Sequence, residues 1–505
     1  MIIKGGNINI SAINVPGGYV QVIAPPPALQ GAPSNILGLV GTAKWGPVNS
    51  PAVIGDFNSF MNMFGPLTTG ANDLGTQLWL AMLQGANNFR VVRVTDGNDV
   101  ASSIALKDVA GSPATGATLT SVYTGSYGNN LTAVISAGTA TGAYNLTLSM
   151  PGGTPEQFAN ITGNGATFWQ NMVSAVNNGQ SGVRGPSQLV VATIGVGTAS
   201  PNIATTYTGA SGTDGNTTIS GSVLLGTDGT TRTGLYSLRN TGCSVAMLCG
   251  VSDSTTWAAQ IAFANAEGLE VILCGPAGQS VATAISAKAS AAVDDTSFKV
   301  LLGDWIYFKD TVNNQTRLVV PQGVCAGIRA TLSPEQSILN KPVYGVVGTQ
   351  KSAANQIYSY ADLSALSTAR IDVIGAPSPG GNYFSHLLGL NGSSNAVTMG
   401  DEYTTLTNYL SKSINSQIGI FVGRLQTPDE RREAQNFIED WLQSLVGLGM
   451  VEAFSVQLND SNNPQSTVEL GFQMANVSVK YFGLVRYFIV NLVGGSSVKT
   501  TVVQA

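Results

Sequence analysis

CSVAMLCG (residues 243–250), STTWAAQIAFANAEG (254–268), EVILCG (270–275), SVATAISAKASAAV (280–293) and SFKVLLGDWIYF (297–308) follow one another with almost nothing between them. Short apolar runs of strand length alternate with helix-length segments. In the first of these segments Trp257, Ile261 and Ala264 fall on one helical face, and Gly268 is placed to end it. Fully apolar strands joined by helices predict a parallel or mixed sheet with helices packed on it.

The same rhythm opens the chain. ILGLVGTA (36–43) reads as a strand. GDFNSFMNMFG (55–65) puts Phe57, Phe60, Met61 and Phe64 on one helical face, and DLGTQLWLAMLQGANN (73–88) is a helix feeding the strand FRVVRVTD (89–96). Between the two β/α stretches lies a different composition. Residues 101–230 carry six charged side chains, against 13 in the much shorter 401–460. The charge-poor stretch is filled with Gly, Thr, Ser and Asn around YNLTLSM (144–150), SQLVVATI (187–194) and GSVLLG (221–226), which reads as an inserted β-rich domain. One helical pattern, TFWQNMVSAVNNG (167–179), interrupts it, with Phe168, Met172 and Val176 in phase.

The last third begins with the amphipathic EYTTLTNYLSKSI (402–414) and a strand expected at IGIFVGRL (418–425). A helix is then written out in full. Thr427 is its N-cap, Pro428 its first residue, and Glu430 the partner in a T-x-x-E capping box. Ala434, Phe437, Ile438, Trp441, Leu442 and Leu445 form its apolar stripe, while Asp429, Glu430, Arg431, Arg432 and Glu433 lie in its charged first turns. Strands expected around VEAFSVQL (451–458), STVELGFQMANVSV (466–479) and VRYFIVNL (485–492) complete a small α+β domain.

The fold class is therefore α/β and α+β, multidomain, as 505 residues exceed what one core accommodates. A mixed-sheet core with packed helices spans 25–100 and 233–380. The β-rich insertion occupies 101–232, the α+β C-terminal domain 381–493, and extended arms 1–24 and 494–505. VPGG (15–18) separates the alternating Ile8 and Ile10 from the body, and GGSS (494–497) separates Val498, Val502 and Val503. Gly17, Gly18, Gly494 and Gly495 are thus candidate hinges. Each arm can fray, pair with its own sheet, or add a strand to a neighbour.

Charged residues are 10% of the chain, far below the roughly quarter typical of a soluble domain, so much of the surface is expected to be covered by other subunits. A secreted β-rich chain is the competing reading of that composition. Net charge is −5 without a basic cluster, which excludes an electrostatic footprint for nucleic acid. No apolar run is long enough to span a bilayer, and the start lacks a signal-peptide pattern, so assembly in the cytoplasm is expected.

Catalytic patterns are weak. GGSSVKT (494–500) lacks the second glycine of a phosphate-binding loop, and CGPAGQS (274–280) lacks the full G-x-G-x-x-G. His386 is the single histidine and has no G-x-S-x-G partner. Cys243, Cys249, Cys274 and Cys325 sit in apolar runs and read as small buried hydrophobes, not ligands. No enzyme activity, cofactor or metal is expected. An α/β hydrolase or nucleotide-binding enzyme, and a tail-tube or surface-layer protein, remain as alternatives.

In order along the chain, VPGGYVQ (15–21), ILGLVGTAKWGPVNSPAVIGDF (36–57), FMNMFGP (60–66), DWIYFKDTVNNQTRLVVPQGVCAGIRA (304–330), NKPVYGVVG (340–348) and FIEDWLQSLVGLGMVEAFSVQLNDSNN (437–463) resemble contractile phage tail sheath proteins. Relatives of that family occur in pyocins and type VI secretion systems. The resemblance implies stacked hexameric rings around a tail tube, with baseplate and tail terminator proteins as further partners. It implies a virion tail assembled in the host bacterial cytoplasm and contraction without nucleotide hydrolysis. It also implies that 101–232 faces outward, that the terminal arms add strands to neighbours, and that the helix from Pro428 faces the tube.

Overall fold

A computed structural model describes residues 2–4, 20–22, 29–203, 205–376, 383–490 and 492. The chain forms two compact units, residues 32–412 and residues 1–31 with 413–505.

The larger unit is built on a six-stranded sheet: β1 (Leu37–Gly41), β2 (Ala52–Ile54), β3 (Phe89–Arg93), β4 (Val245–Leu248), β5 (Glu270–Cys274) and β6 (Phe298–Leu301), in the order β6-β5-β4-β1-β3-β2. All neighbours are parallel except β2, which runs antiparallel to β3 at the edge. Every residue of β1, β4, β5 and β6 is buried, which is why these strands read as continuous apolar runs rather than alternating ones.

Such a sheet needs cover on both faces. On one side lie α1 (Phe57–Phe64) and α2 (Leu74–Leu83), whose Phe60, Phe64, Leu74 and Leu78 join Leu37, Leu39, Phe89 and Val91 in one core. On the other lie α3 (Trp257–Glu267) and α4 (Val281–Ala291); Trp257, Ile261, Ala264 and Ala284 pack with Val40, Leu248, Leu273 and Val300. The helix ends follow local chemistry. Asp56 accepts from Ser59 N at 2.9 Å, Asp73 from Thr76 N at 2.7 Å, and Gly268 takes the left-handed conformation that ends α3.

The segment DWIYFKDTVNNQTRLVVPQGVCAG forms the antiparallel hairpin Ile306–Asp310 with Gln315–Val319, then α5 (Gln322–Thr331). Its two glycines have a specific use. Gly323 and Gly327, one turn apart, face α2 so closely that an added Cβ would lie 2.6 Å from Gln77 O and 2.6 Å from Ala81 Cα respectively. The Gly323 N–H donates to Gln77 Oε1 at 2.8 Å. The four cysteines are free and buried, and burial pushes the thiols of Cys249, Cys274 and Cys325 well above their usual range.

Residues 101–213 form a separate β-rich core. A three-stranded antiparallel sheet (Ala101–Lys107, Thr115–Thr124, Val190–Ile194) and a four-stranded one (Thr132–Ala137, Tyr144–Ser149, Glu156–Ile161, Thr206–Thr208) enclose the helix Ala166–Asn178. Phe168, Trp169, Met172 and Val176 fill the space between them. At the root sits Arg93, fully buried at the end of β3. It donates to Ala43 O, Gly46 O, Thr124 O and Asp214 O at 2.7–3.2 Å, so one guanidinium ties both chain passages of this domain to the principal sheet.

In the smaller unit, α6 (Asp401–Gln417) enters from the larger one and α7 (Pro428–Gly447) buries the expected stripe Ala434, Phe437, Ile438, Trp441, Leu442 and Leu445. The strands β7 (Ala453–Gln457) and β8 (Asn476–Lys480) pair antiparallel.

Four sequence expectations change. IGIFVGRL is not a strand: Ile418–Phe421 is a 3-10 turn and Val422 and Leu425 are exposed. GSVLLG is a short helix, Gly221–Leu225, because Ser220 accepts from Val223 N. STVELGFQMANVSV is a strand only from Asn476, after a one-turn helix at Gln465–Val468. VRYFIVNL takes no strand conformation among the described residues.

Gly327→Val should force α5 away from α2. Overpacking of this kind costs about 1–3 kcal/mol, so the thermal midpoint should drop clearly relative to the parent chain. An unchanged midpoint by calorimetry would refute the close-approach role.

Candidate assembly site in the smaller unit

The charged face of α7 is organised by its own neighbours. Thr427 Oγ1 accepts from Glu430 N at 3.2 Å, but the reciprocal half of the capping box is missing. The Thr427 N–H goes to Leu425 O at 2.9 Å, and Glu430 instead binds Arg424 Nη1 at 3.0 Å, which also reaches Glu433 at 2.9 Å. Arg424 lies over the Phe421 ring, 4.8 Å from its centroid, and Phe421 meets Phe437 edge-on at 5.5 Å. The turn at 418–421 thus exists to seat this aromatic pair and its arginine.

Arg431 differs from its neighbours. It is buried, with Nη1 2.7 Å from Asp460 Oδ1, and ties α7 to the loop after β7. Arg432 is exposed and only 3.8 Å from Asp429, an ion pair worth little in water. Of the five first-turn charges, Asp429, Arg432 and Glu433 therefore present a surface, whereas Arg431 holds the unit together.

Among the described residues the β7–β8 sheet has two strands and neither outer edge is paired. An isolated pair is marginal in water and needs further strands or cover. The β8 pattern leaves Asn476, Ser478 and Lys480 exposed, and beyond it Val485, Tyr487, Phe488, Ile489 and Val490 are each at least 70% exposed. Exposure of so many large apolar side chains in one run marks an interaction surface.

Ile8, Ile10, Gly17, Gly18, Gly494, Gly495, Val498, Val502 and Val503 lie outside the described residues. What the structure does place is a short parallel pair, Ile2–Lys4 with Val20–Val22, and the root of the N-terminal arm. There Gln417 at the end of α6 grips the Gln30 backbone from both sides: Oε1 accepts from Gln30 N at 2.9 Å and Nε2 donates to Gln30 O at 2.6 Å. Sequence reading missed this clamp, since nothing local in SINSQIG distinguishes Gln417.

The crevice where a doubly wound enzyme would bind its ligand, beyond the carboxyl ends of β1 and β4, is occupied by the chain itself. Asn72 O accepts from Thr42 N at 2.8 Å, Asn72 Nδ2 donates to Cys249 O at 2.7 Å, and Leu74 N donates to Thr42 O at 3.0 Å. In the glycine-rich turn CGPAGQS, the Gly278 N–H is already given to Gln350 Oε1 at 2.8 Å. Among the described residues no three metal-ligating side chains cluster, and no helix is long and apolar enough to cross a membrane.

No protein-family model and no curated protein matches the sequence. Solved structures do. The chain is similar to a sheath tail protein from Desulfitobacterium hafniense at 13% identity and TM-score 0.58, over 88% of this chain and 94% of that one. It is similar to the sheath tail protein Lin1278 from Listeria innocua at 11% identity and TM-score 0.61, over 90% and 96%. A third likeness, at 10% identity and TM-score 0.54 over 96% and 99%, is to the sheath complex of an extracellular contractile injection system in its contracted state. The fold is that of contractile sheath proteins. At these identities the likeness is one of architecture, and it covers both units of the chain.

Arg432→Glu should leave the unfolding free energy within about 0.5 kcal/mol of the parent, as for exposed substitutions, whereas Arg431→Ala should lower it markedly by removing the contact with Asp460. Equal effects of the two on thermal unfolding would contradict the division drawn between them.

Proposed function

We propose that the chain is the repeating subunit of a contractile tail sheath that polymerises as stacked hexameric rings around a tail tube. The observation that carries this reading is the shared fold with sheath proteins over about nine tenths of both chains. The low charge content and the exposed apolar run at 485–490 support it, because both describe a surface built to be covered. The subunit is a structural protein and not an enzyme on this reading, in keeping with the filled crevice at β1 and β4.

In the assembly, the arms 1–24 and 494–505 add strands to neighbouring subunits through Ile8, Ile10, Val498, Val502 and Val503. Gly17, Gly18, Gly494 and Gly495 act as hinges. Main-chain pairing suits such a joint because it resists separation along the whole strand, while a glycine tether lets the rigid bodies rotate. The two open edges of the β7–β8 sheet are the acceptors. Heterologous contacts of this sort do not close and generate a helical tube.

The core spans 25–100 and 233–380, the insertion 101–232 faces outward, and the domain 381–493 faces the tube through Asp429, Glu430, Arg432 and Glu433. Baseplate and tail terminator proteins cap the ends. Contraction is a change between two arrangements of the same subunit contacts, released from the baseplate. The particle is a phage tail assembled in the bacterial cytoplasm, which drives its tube through the host envelope for genome ejection.

Removal of residues 496–505 should abolish striated tubes in negative-stain images while leaving a folded, monodisperse subunit; normal tubes from the truncated chain would end the arm assignment. Arg432→Glu should release the extended sheath from the tube at a lower salt concentration than the parent, and an unchanged salt midpoint would remove the tube-facing role.

A further inference from the structure

The larger unit holds a cluster of ionisable groups in a place where the sheet is otherwise apolar. Lys299 of β6 is fully buried, with Nζ 2.6 Å from Leu390 O, 3.4 Å from Asp372 Oδ2 and 3.3 Å from Asp401 Oδ2. Asp372 also accepts from Val373 N and Leu388 N at 2.8 and 3.1 Å, and His386 Nδ1 lies 3.3 Å from it. Asp401, the first residue of α6, accepts from Ser337 Oγ at 2.5 Å and Ile338 N at 3.2 Å. From α5, Arg329 gives its two terminal nitrogens to Gln336 O and Ser333 O at 2.6 and 3.1 Å. Glu270, at the start of β5, is also fully buried, yet among the described residues neither of its carboxylate oxygens has a hydrogen-bond partner.

The charge count singles out Glu270. Lys299 and Arg329 together balance Asp372 and Asp401, and those aspartates have backbone donors of their own. An ionised Glu270 would be a third carboxylate in the same dry space, with no donor to solvate it and Asp372 and Asp401 repelling it. A buried, unsolvated anion costs several kcal/mol unless it is paired. The protonated acid avoids that cost.

We propose that the cluster of Glu270, Lys299, Arg329, Asp372 and Asp401 is a proton-dependent latch, which holds the N-terminal end of α6 firmly while Glu270 is protonated and loosens when it ionises. The groups that act on Glu270 are Lys299 of β6, Arg329 of α5, Asp401 of α6 and Asp372; Cys325 of α5 and His386 complete the surroundings. Burial pushes the Glu270 carboxyl up to about 7, with Lys299 and Arg329 opposing and the two aspartates reinforcing the rise. Burial opposes the charge on Asp372 as well, but Lys299 and His386 hold its carboxyl well below the usual range. Burial would also lower Lys299, but Asp401 and Asp372 keep it charged well into alkaline pH.

The sign follows from linkage. The folded-state value of Glu270 lies above its ordinary one, so the contribution to stability is complete below the ordinary glutamate pKa and disappears as pH rises through about 7. Asp372 works the opposite way, but in a window well below pH 4, so it does not mask the effect.

Thermal unfolding of the full chain between pH 5.5 and 8.5 tests the latch. The parent should lose stability across this range, its unfolding equilibrium constant rising by about thirtyfold. Glu270→Gln, which keeps the shape and removes the proton, should flatten the profile. Hydrogen exchange in 401–412, corrected for intrinsic rates, should accelerate at high pH in the parent and not in the variant. Should the variant fail to fold, an infrared band of a protonated carboxylic acid, shifted by glutamate-specific isotope labelling and lost above pH 8, reports the same proton in the parent. A flat parent profile, a variant that keeps the slope, or the absence of that band at pH 6 each overturns the proposal.

Discussion

Burial of the principal sheet on both faces is the constraint from which the rest follows. Four adjacent strands with no exposed residue require helices on each side, so the chain must cross over between parallel strands instead of turning back. Such a sheet has no room for a large polar insertion except at its rim. The β-rich domain leaves after β3 and returns before β4, and Arg93 at the end of β3 satisfies backbone carbonyls on both passages. The same demand for close cover explains Gly323 and Gly327: α5 reaches the sheet only by lying almost on the backbone of α2.

Much of this was legible because the pattern is local. The strand and helix rhythm of 243–308, the helix at 167–178 and the stripe of α7 are set by residues within one or two turns of each other. The errors arose where partners are distant. The apolar run at 418–425 looks like a strand, but a strand needs an edge, and the protein uses Phe421 to hold Phe437 and Arg424 instead. Arg431 looked like one more surface charge until Asp460, 29 residues on, drew it inward.

The buried charge cluster was the least legible feature. Glu270, Lys299, Arg329, Asp372 and Asp401 come from five separate segments, and no spacing connects them. A hint existed all the same: EVILC and FKVL each carry one charged residue inside a strand that is otherwise wholly apolar. In a strand covered on both faces, such a residue has to find its counter-charge inside the protein.

The run at Val485 and Tyr487–Val490 has a consequence for synthesis rather than for the folded subunit. Five large β-prone side chains in an exposed stretch make a template for pairing between any two chains, and the liability rises with concentration. A subunit of this kind is safe only while free copies are few. In the sheath proposed above, growth on an existing end, where each arriving chain finds an ordered partner at once, outpaces random pairing in solution. For the proposed sheath, length control and solubility then become the same problem: whatever offers the first edge decides both where polymerisation starts and whether the remaining chains stay soluble until they join it.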